Sequence, residues 1–181
     1  MQSSIFTIGH GRLEIERFIK VLHDSDINCV VDVRSQPASR WSPDYNQKQL
    51  ELHLSKSGIK YIFSGVELGG RPPENELYDS SGHVLYKPMS KTIRFEEGIR
   101  DLLKHEALYN VAVLCSESLP EKCHRNLLIG RVLTKQGYKV IHLLHDGSSE
   151  PFDISLLASQ TLEIFDEEDQ WRSLVQIRVT E

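Results

Sequence analysis

The chain has 181 residues, 39% of them hydrophobic and 26% charged, with a formal net charge of −5. That length suits one domain with a sizeable core, and the balance of apolar and charged residues excludes a disordered chain. The negative net charge excludes nucleic-acid binding through bulk charge and leaves only a local basic patch for it.

No apolar run approaches the roughly 20 residues needed to cross a bilayer, so no membrane contact is expected. The N-terminal stretch MQSSIFTIGH has no basic region followed by an apolar one, and the cytoplasm is the expected compartment. Cys29, Cys115 and Cys123 are an odd number in a long chain, which argues for reduced thiols rather than a disulfide framework.

Residues 4–11, SIFTIGHG, read as a strand ending in glycine. In residues 13–26, Ile15, Phe18, Ile19 and Leu22 recur at helical spacing. Residues 27–35, INCVVDVRS, are apolar without alternation, as in a strand buried on both faces. An irregular loop, PASRWSPDY, follows. A helix over 46–58 is expected, with Asn46 as N-cap and Gly58 as the stop. Residues 59–63 are the next strand. The proline- and glycine-rich residues 64–91 read as a long excursion, with the length expected of a lid.

A helix is expected over 92–106, weakened by Gly98. Residues 110–117 are a buried strand. Ser118 and Glu121 form an S-x-x-E capping pattern around Pro120, which predicts a helix from about residue 119 to near Gly137. Residues 138–147 are the last clear strand. Residues 148–181 read as a C-terminal extension of the same domain, acidic around FDEED. Alternating strands and helices predict an α/β fold: a three-layer sandwich with a mostly parallel sheet of about five strands and helices on both faces.

Ligands of open α/β sheets bind at the carboxyl ends of the strands. The predicted strands end in His10, in Asp32 and Arg34, in Cys115 with Glu117 beyond, and in His145 and Asp146, with His142 inside the last of them. Glu67 follows the third strand. Asp32 lies between valines and needs a partner, which Arg34 or His10 can supply. On the predicted helix from residue 119, Arg125 points toward the strand ends as an anion binder. Cys123 falls on the opposite meridian. Cys115, at a strand-to-helix turn, is placed for activation by the helix dipole.

The order of elements around Cys115 resembles a rhodanese domain. A phosphatase-type loop, however, needs arginine six residues after the cysteine, where Glu121 stands, and Glu117 and Glu121 would repel a phosphate dianion there. Cys115, Cys123 and His124 also form a candidate metal set, although their C-x7-C-H spacing is not that of a zinc finger.

The motifs TIGHG, DVRSQPASRW, GIKYIFSGVELGGRP, VAVLCSESLPEKCHR and VIHL, in that order, resemble the bacterial family called domain of unknown function 488, over about residues 4–145. The resemblance implies a single α/β domain and brings no established reaction. It points to His10, Asp32, Arg34, Pro37, Ser39, Gly69, Gly70, Cys115, Glu117, Cys123, His124 and Arg125. Gly11 departs from the family pattern, which has serine after the GH.

Three functions are expected from these readings. The first is an enzyme for group transfer or hydrolysis on a small anionic or nucleotide-like ligand at the C-terminal rim. There Cys115, Glu117, His10 and Asp32 are the catalytic candidates, and Arg34, Ser39, Arg40, Trp41, Gly69, Gly70, His124 and Arg125 the binding ones. The second is a nucleic-acid or nucleotide binding module using Arg34, Arg40 and the stacking candidate Trp41. The third is a metal-binding protein using Cys115, Cys123 and His124.

Overall fold

The computed structural model describes residues 4–153 and 171–177. The strands β1 (Ser4–Gly9), β2 (Cys29–Asp32), β3 (Lys60–Phe63), β4 (Val111–Cys115) and β5 (Lys139–Leu143) pair in parallel. A short β6 (Ser149–Pro151) turns back antiparallel onto β5. The order is β3-β2-β4-β1-β5-β6. The fold is therefore α/β with a six-stranded, mostly parallel sheet. The sequence signal for β6 is weak because its three residues, SEP, are all exposed.

Strand alternation sends side chains to two faces. Cys29, Val31, Val111, Val113 and Val140 join one apolar cluster. Val30, Ala112, Leu114 and Leu143 join the other. Helices α1 (Ile15–Asp24) and α2 (Gln47–Lys56) bring Phe18, Leu22, Leu50 and Leu54 to the second face. Helix α5 (Ile93–Glu106), a π-helix (Arg125–Gly130) and α6 (Arg131–Lys135) bring Phe95, Leu102, Leu128 and Leu133 to the first.

The expected helix over 46–58 is present, but Asn46 does not cap it with its side chain. Its Oδ1 accepts instead from the Ser39 amide at 2.6 Å. Thr92 does cap α5, its hydroxyl accepting from the Phe95 amide at 3.2 Å. Gly98 proves to be a packing device rather than a weakness. A Cβ there would lie 2.6 Å from the Glu67 Cβ on the short helix α3 (Gly65–Leu68), which rests on α5.

Residues 64–91 form an excursion whose apolar side chains enter the core. Leu68, Leu77, Val84, Tyr86 and Met89 are all buried in the first cluster, the last two on the short helix α4 (Tyr86–Met89). Residues 171–177 dock along this segment, the Ser173 amide donating to the Val84 carbonyl at 2.8 Å and the Ile177 amide to that of Gly82 at 2.9 Å. The FDEED stretch lies outside the described residues. Among the described residues no helix is long and apolar enough to cross a membrane.

The strand order places β4 between β1 and β2, so the chain crosses over it on leaving β1 and over β1 on leaving β4. The carboxyl ends of β1, β2 and β4 are neighbours at this switch in winding, the place where open α/β sheets hold ligands.

Candidate metal centre

The helix after β4 does not begin at residue 119. Residues 116–123 form a loop, and helical structure starts at His124. The capping pattern at Ser118 and Glu121 fails because Arg125 captures the loop first. Its guanidinium, fully buried, donates from Nη1 to the Glu117 carbonyl at 2.5 Å and from Nη2 to that of Ser118 at 3.1 Å. Gly9 makes room for this clamp, since a Cβ there would sit 1.6 Å from the Glu117 carbonyl oxygen. Arg125 does point under the loop toward the strand ends, and its Nη1 and Nη2 bond to the protein's own carbonyls.

The loop changes where Cys123 faces. It is buried and turns inward, toward Cys115 at the end of β4. One Oε2 of Glu117 accepts from both thiols, at 2.7 Å from Cys115 Sγ and 3.3 Å from Cys123 Sγ. His124 Nδ1 lies 3.5 Å from the first sulfur and 3.9 Å from the second. The three ligand atoms of Cys115, Cys123 and His124 all fall within 4.8 Å of one another. Tetrahedral zinc with the usual Zn–S and Zn–N lengths needs its ligand atoms about 3.3–3.8 Å apart.

The other ring nitrogen of His124 donates to the Val33 carbonyl at 3.2 Å. That bond leaves Nδ1 as the lone-pair nitrogen facing the sulfurs, the arrangement metal-bound histidines use. Burial opposes charge on this ring, but Cys123 and Glu117 prevail and raise its pKa. Burial also opposes charge on Glu117, and its two thiol donors still hold the carboxyl below its ordinary range. The residue is exposed, while its carboxylate end turns inward. Cys123 is pushed well up, first by burial and then by Cys115 beside it.

His10, Asp32 and Arg34 form a separate nest. Arg34 grips Asp32 with two parallel bonds, Nε to Oδ1 at 2.9 Å and Nη2 to Oδ2 at 2.6 Å, and its amide adds a third at 3.0 Å. Tyr61 donates to the same carboxylate at 2.7 Å. His10 stacks on Tyr45 at 4.1 Å and meets Arg34 Nη1 at 3.3 Å through Nε2, while Nδ1 donates to the Gly11 carbonyl at 2.9 Å. Burial, then Arg34, lowers the His10 pKa to about 4. Tyr45 and Tyr61 belong with the second apolar cluster, whereas Cys115 follows Val111 and Val113 on the first face. The sheet thus lies between the two groups, and Arg34 has its charge met by Asp32 rather than by an outside anion.

The remaining candidates are dispersed. The Ser39 hydroxyl accepts from the Trp41 amide at 3.1 Å. Trp41 is 80% exposed, with the Arg40 guanidinium 4.7 Å over its ring. Gly69 and Gly70 allow close packing. A Cβ on Gly69 would meet the Gly65 carbonyl at 2.2 Å, and one on Gly70 the His124 ring at 2.8 Å. Tyr86 was not legible as a site residue. It is buried facing the thiols, and burial, Cys123, Cys115 and Glu117 all raise its phenol pKa. It stands in the segment read as an excursion, where nothing local marks it.

A family model described as domain of unknown function DUF488 matches residues 14–132, which include every ligand candidate of this centre. No curated protein and no solved structure matches the chain.

Proposed function

The chain belongs to the DUF488 family, and from that premise we propose that it is a metal-dependent enzyme for hydrolysis or group transfer on a small ligand at the rim of the sheet. The metal ligands are Cys115, Cys123 and His124, with Glu117 at the mouth. The observation that carries this reading is the convergence of two thiols and an imidazole within 4.8 Å, with the second nitrogen of that imidazole tied to the Val33 carbonyl. Thiolate and imidazole donors suit zinc.

A bound zinc ion polarises a ligand oxygen or lowers the pKa of a bound water. The protein's own part is to orient the ligands. Val33 fixes the His124 ring, and Gly70 lets the turn after α3 lie against it. Arg125 holds the loop so that Cys123 faces inward. Glu117, at the mouth and outside the ligand set, would take a proton from a water bound at the open position. Three cysteines without disulfide partners suit a reducing compartment, and the cytoplasm is the proposed location.

The test is metal content after purification without added chelator, followed by cobalt substitution. About one equivalent of metal and thiolate-to-cobalt charge-transfer absorption are expected. Cys115→Ser, Cys123→Ser and His124→Ala should each lower metal affinity by more than the roughly 100-fold that loss of a supporting hydrogen bond can cost. Protein that retains no metal and shows no saturable zinc binding would refute the reading.

The exposed Arg40–Trp41 pair favours a second reading, a stacking platform for an unpaired base. Single-stranded oligonucleotide should then bind more weakly in Trp41→Ala by about 1–3 kcal/mol, with affinity falling as salt rises. Binding unchanged by that substitution removes it.

A further inference from the structure

A shallow, open depression lies beside Glu117. Its walls include Gly11, Arg12, Ser116, Ser118 and His145. These residues come from the turn after β1, the loop after β4 and the turn after β5, so three neighbouring strand ends contribute.

Two of the three walls offer free donors, Arg12 on the turn after β1 and the Ser116 and Ser118 hydroxyls on the loop after β4. The Arg12 side chain is exposed, and among the described residues no hydrogen bond or ion pair engages its guanidinium. That sets it apart from Arg34, which grips Asp32, and from Arg125, whose Nη1 and Nη2 bond to loop carbonyls. The hydroxyls of Ser116 and Ser118 are likewise without protein partners among the described residues. His145 is oriented by its bond from Nε2 to the Gly9 carbonyl at 2.6 Å.

Gly11 keeps the depression open. Its φ of +54° lies in the left-handed region that favours glycine, and a Cβ there would stand 2.9 Å from both His145 Cε1 and Ser118 Cβ. A side chain at this position would push two walls apart.

We propose that this depression is the substrate subsite and that it takes a phosphate group, held by Arg12 and the hydroxyls of Ser116 and Ser118. The inference rests on the metal-centre reading for the chemistry that follows binding, but not for the binding itself. A guanidinium with two flanking hydroxyls offers more donors than the two oxygens of a carboxylate use, and a tetrahedral oxyanion uses them from several sides. Glu117 is the electrostatic obstacle, since its carboxylate would repel the anion. Zinc binding displaces the two thiol protons and so leaves the net charge of the centre unchanged, and Arg12 and the two hydroxyls hold the anion against this repulsion with or without the metal.

The experiment is calorimetric titration of inorganic phosphate into zinc-loaded protein, with acetate as the contrasting anion. Metal stoichiometry is measured on the same samples. The expected result is saturable phosphate binding, weakened tenfold or more in Arg12→Gln and partly restored in Arg12→Lys, with metal content unchanged in both. Arg12 is exposed, so neither variant should perturb folding, and circular dichroism checks this. Phosphate affinity that is unchanged in Arg12→Gln overturns the subsite. Acetate binding as tightly as phosphate overturns its tetrahedral specificity. Wild-type protein that holds no zinc but still binds phosphate through Arg12 would sink the metal reading and keep the subsite.

Discussion

At the scale of single residues, burial decides which titratable groups carry charge. His142 on β5 is buried between the Thr7 hydroxyl, which donates to Nδ1 at 2.6 Å, and the Asn126 side-chain oxygen, which accepts from Nε2 at 2.9 Å. The neutral ring satisfies both. Burial, then Arg125, lowers its pKa from 6.5 to about 4. Between those values the unfolded chain binds a proton that the native chain refuses. Stability from this group is therefore present above pH 6.5 and falls as the pH drops toward 4. The full loss is on the order of 3 kcal/mol. Urea unfolding of His142→Gln across this range should show a stability curve flatter by about one proton. A slope equal to wild type would contradict the assignment. Gly9 is the other decisive residue. Gly9→Ala should displace the Glu117 carbonyl from Arg125, lower stability by about 3 kcal/mol or more, and weaken zinc binding by misplacing Cys123. Retention of wild-type stability and zinc affinity would show that the clamp is dispensable.

At the scale of elements, local pattern predicted regular helices and failed at the irregular one. Ile15, Phe18 and Leu22 in α1 all lie buried, as their spacing requires. The chain after β4 has a helix-start pattern too, yet it forms a loop and then a π-helix. Each π-turn leaves backbone groups that need other partners, and such turns gather at functional sites. Here Trp171 supplies one, its indole N–H donating to the Leu127 carbonyl at 2.6 Å, with Arg131 4.7 Å from its ring. No reading of residues 125–130 alone shows that a tryptophan some forty residues later completes them. Trp171→Phe keeps the apolar ring and removes the donor. It should cost about 1–3 kcal/mol for an unpaired carbonyl, read as a lower urea midpoint with an unchanged slope. A midpoint equal to wild type would mean that solvent replaces the indole.

At the scale of the whole molecule, the sheet divides the polar residues of the rim into two groups with different work. Asp32, Arg34 and Tyr61 form a closed, satisfied network on one face. The thiols, His124 and Glu117 form an acceptor-rich centre on the other. Asp32→Asn should leave the Arg34 charge buried without its counter-charge and destabilise the fold by about 3 kcal/mol. Zinc stoichiometry at the folded baseline should stay the same. Loss of zinc from folded Asp32→Asn protein would mean that the two groups act as one site. The sequence by itself determined the α/β class and which polar residues stand at the strand ends, because strand and helix periodicities are local and buried strands are apolar. Which of those residues meet was decided only by tertiary structure. Alternation along β2 and β4 sends Asp32 and Cys115 to opposite faces, and Arg125 overrides a local helix start to turn Cys123 inward. Both outcomes depend on contacts between segments far apart in the chain, which short-range pattern does not encode.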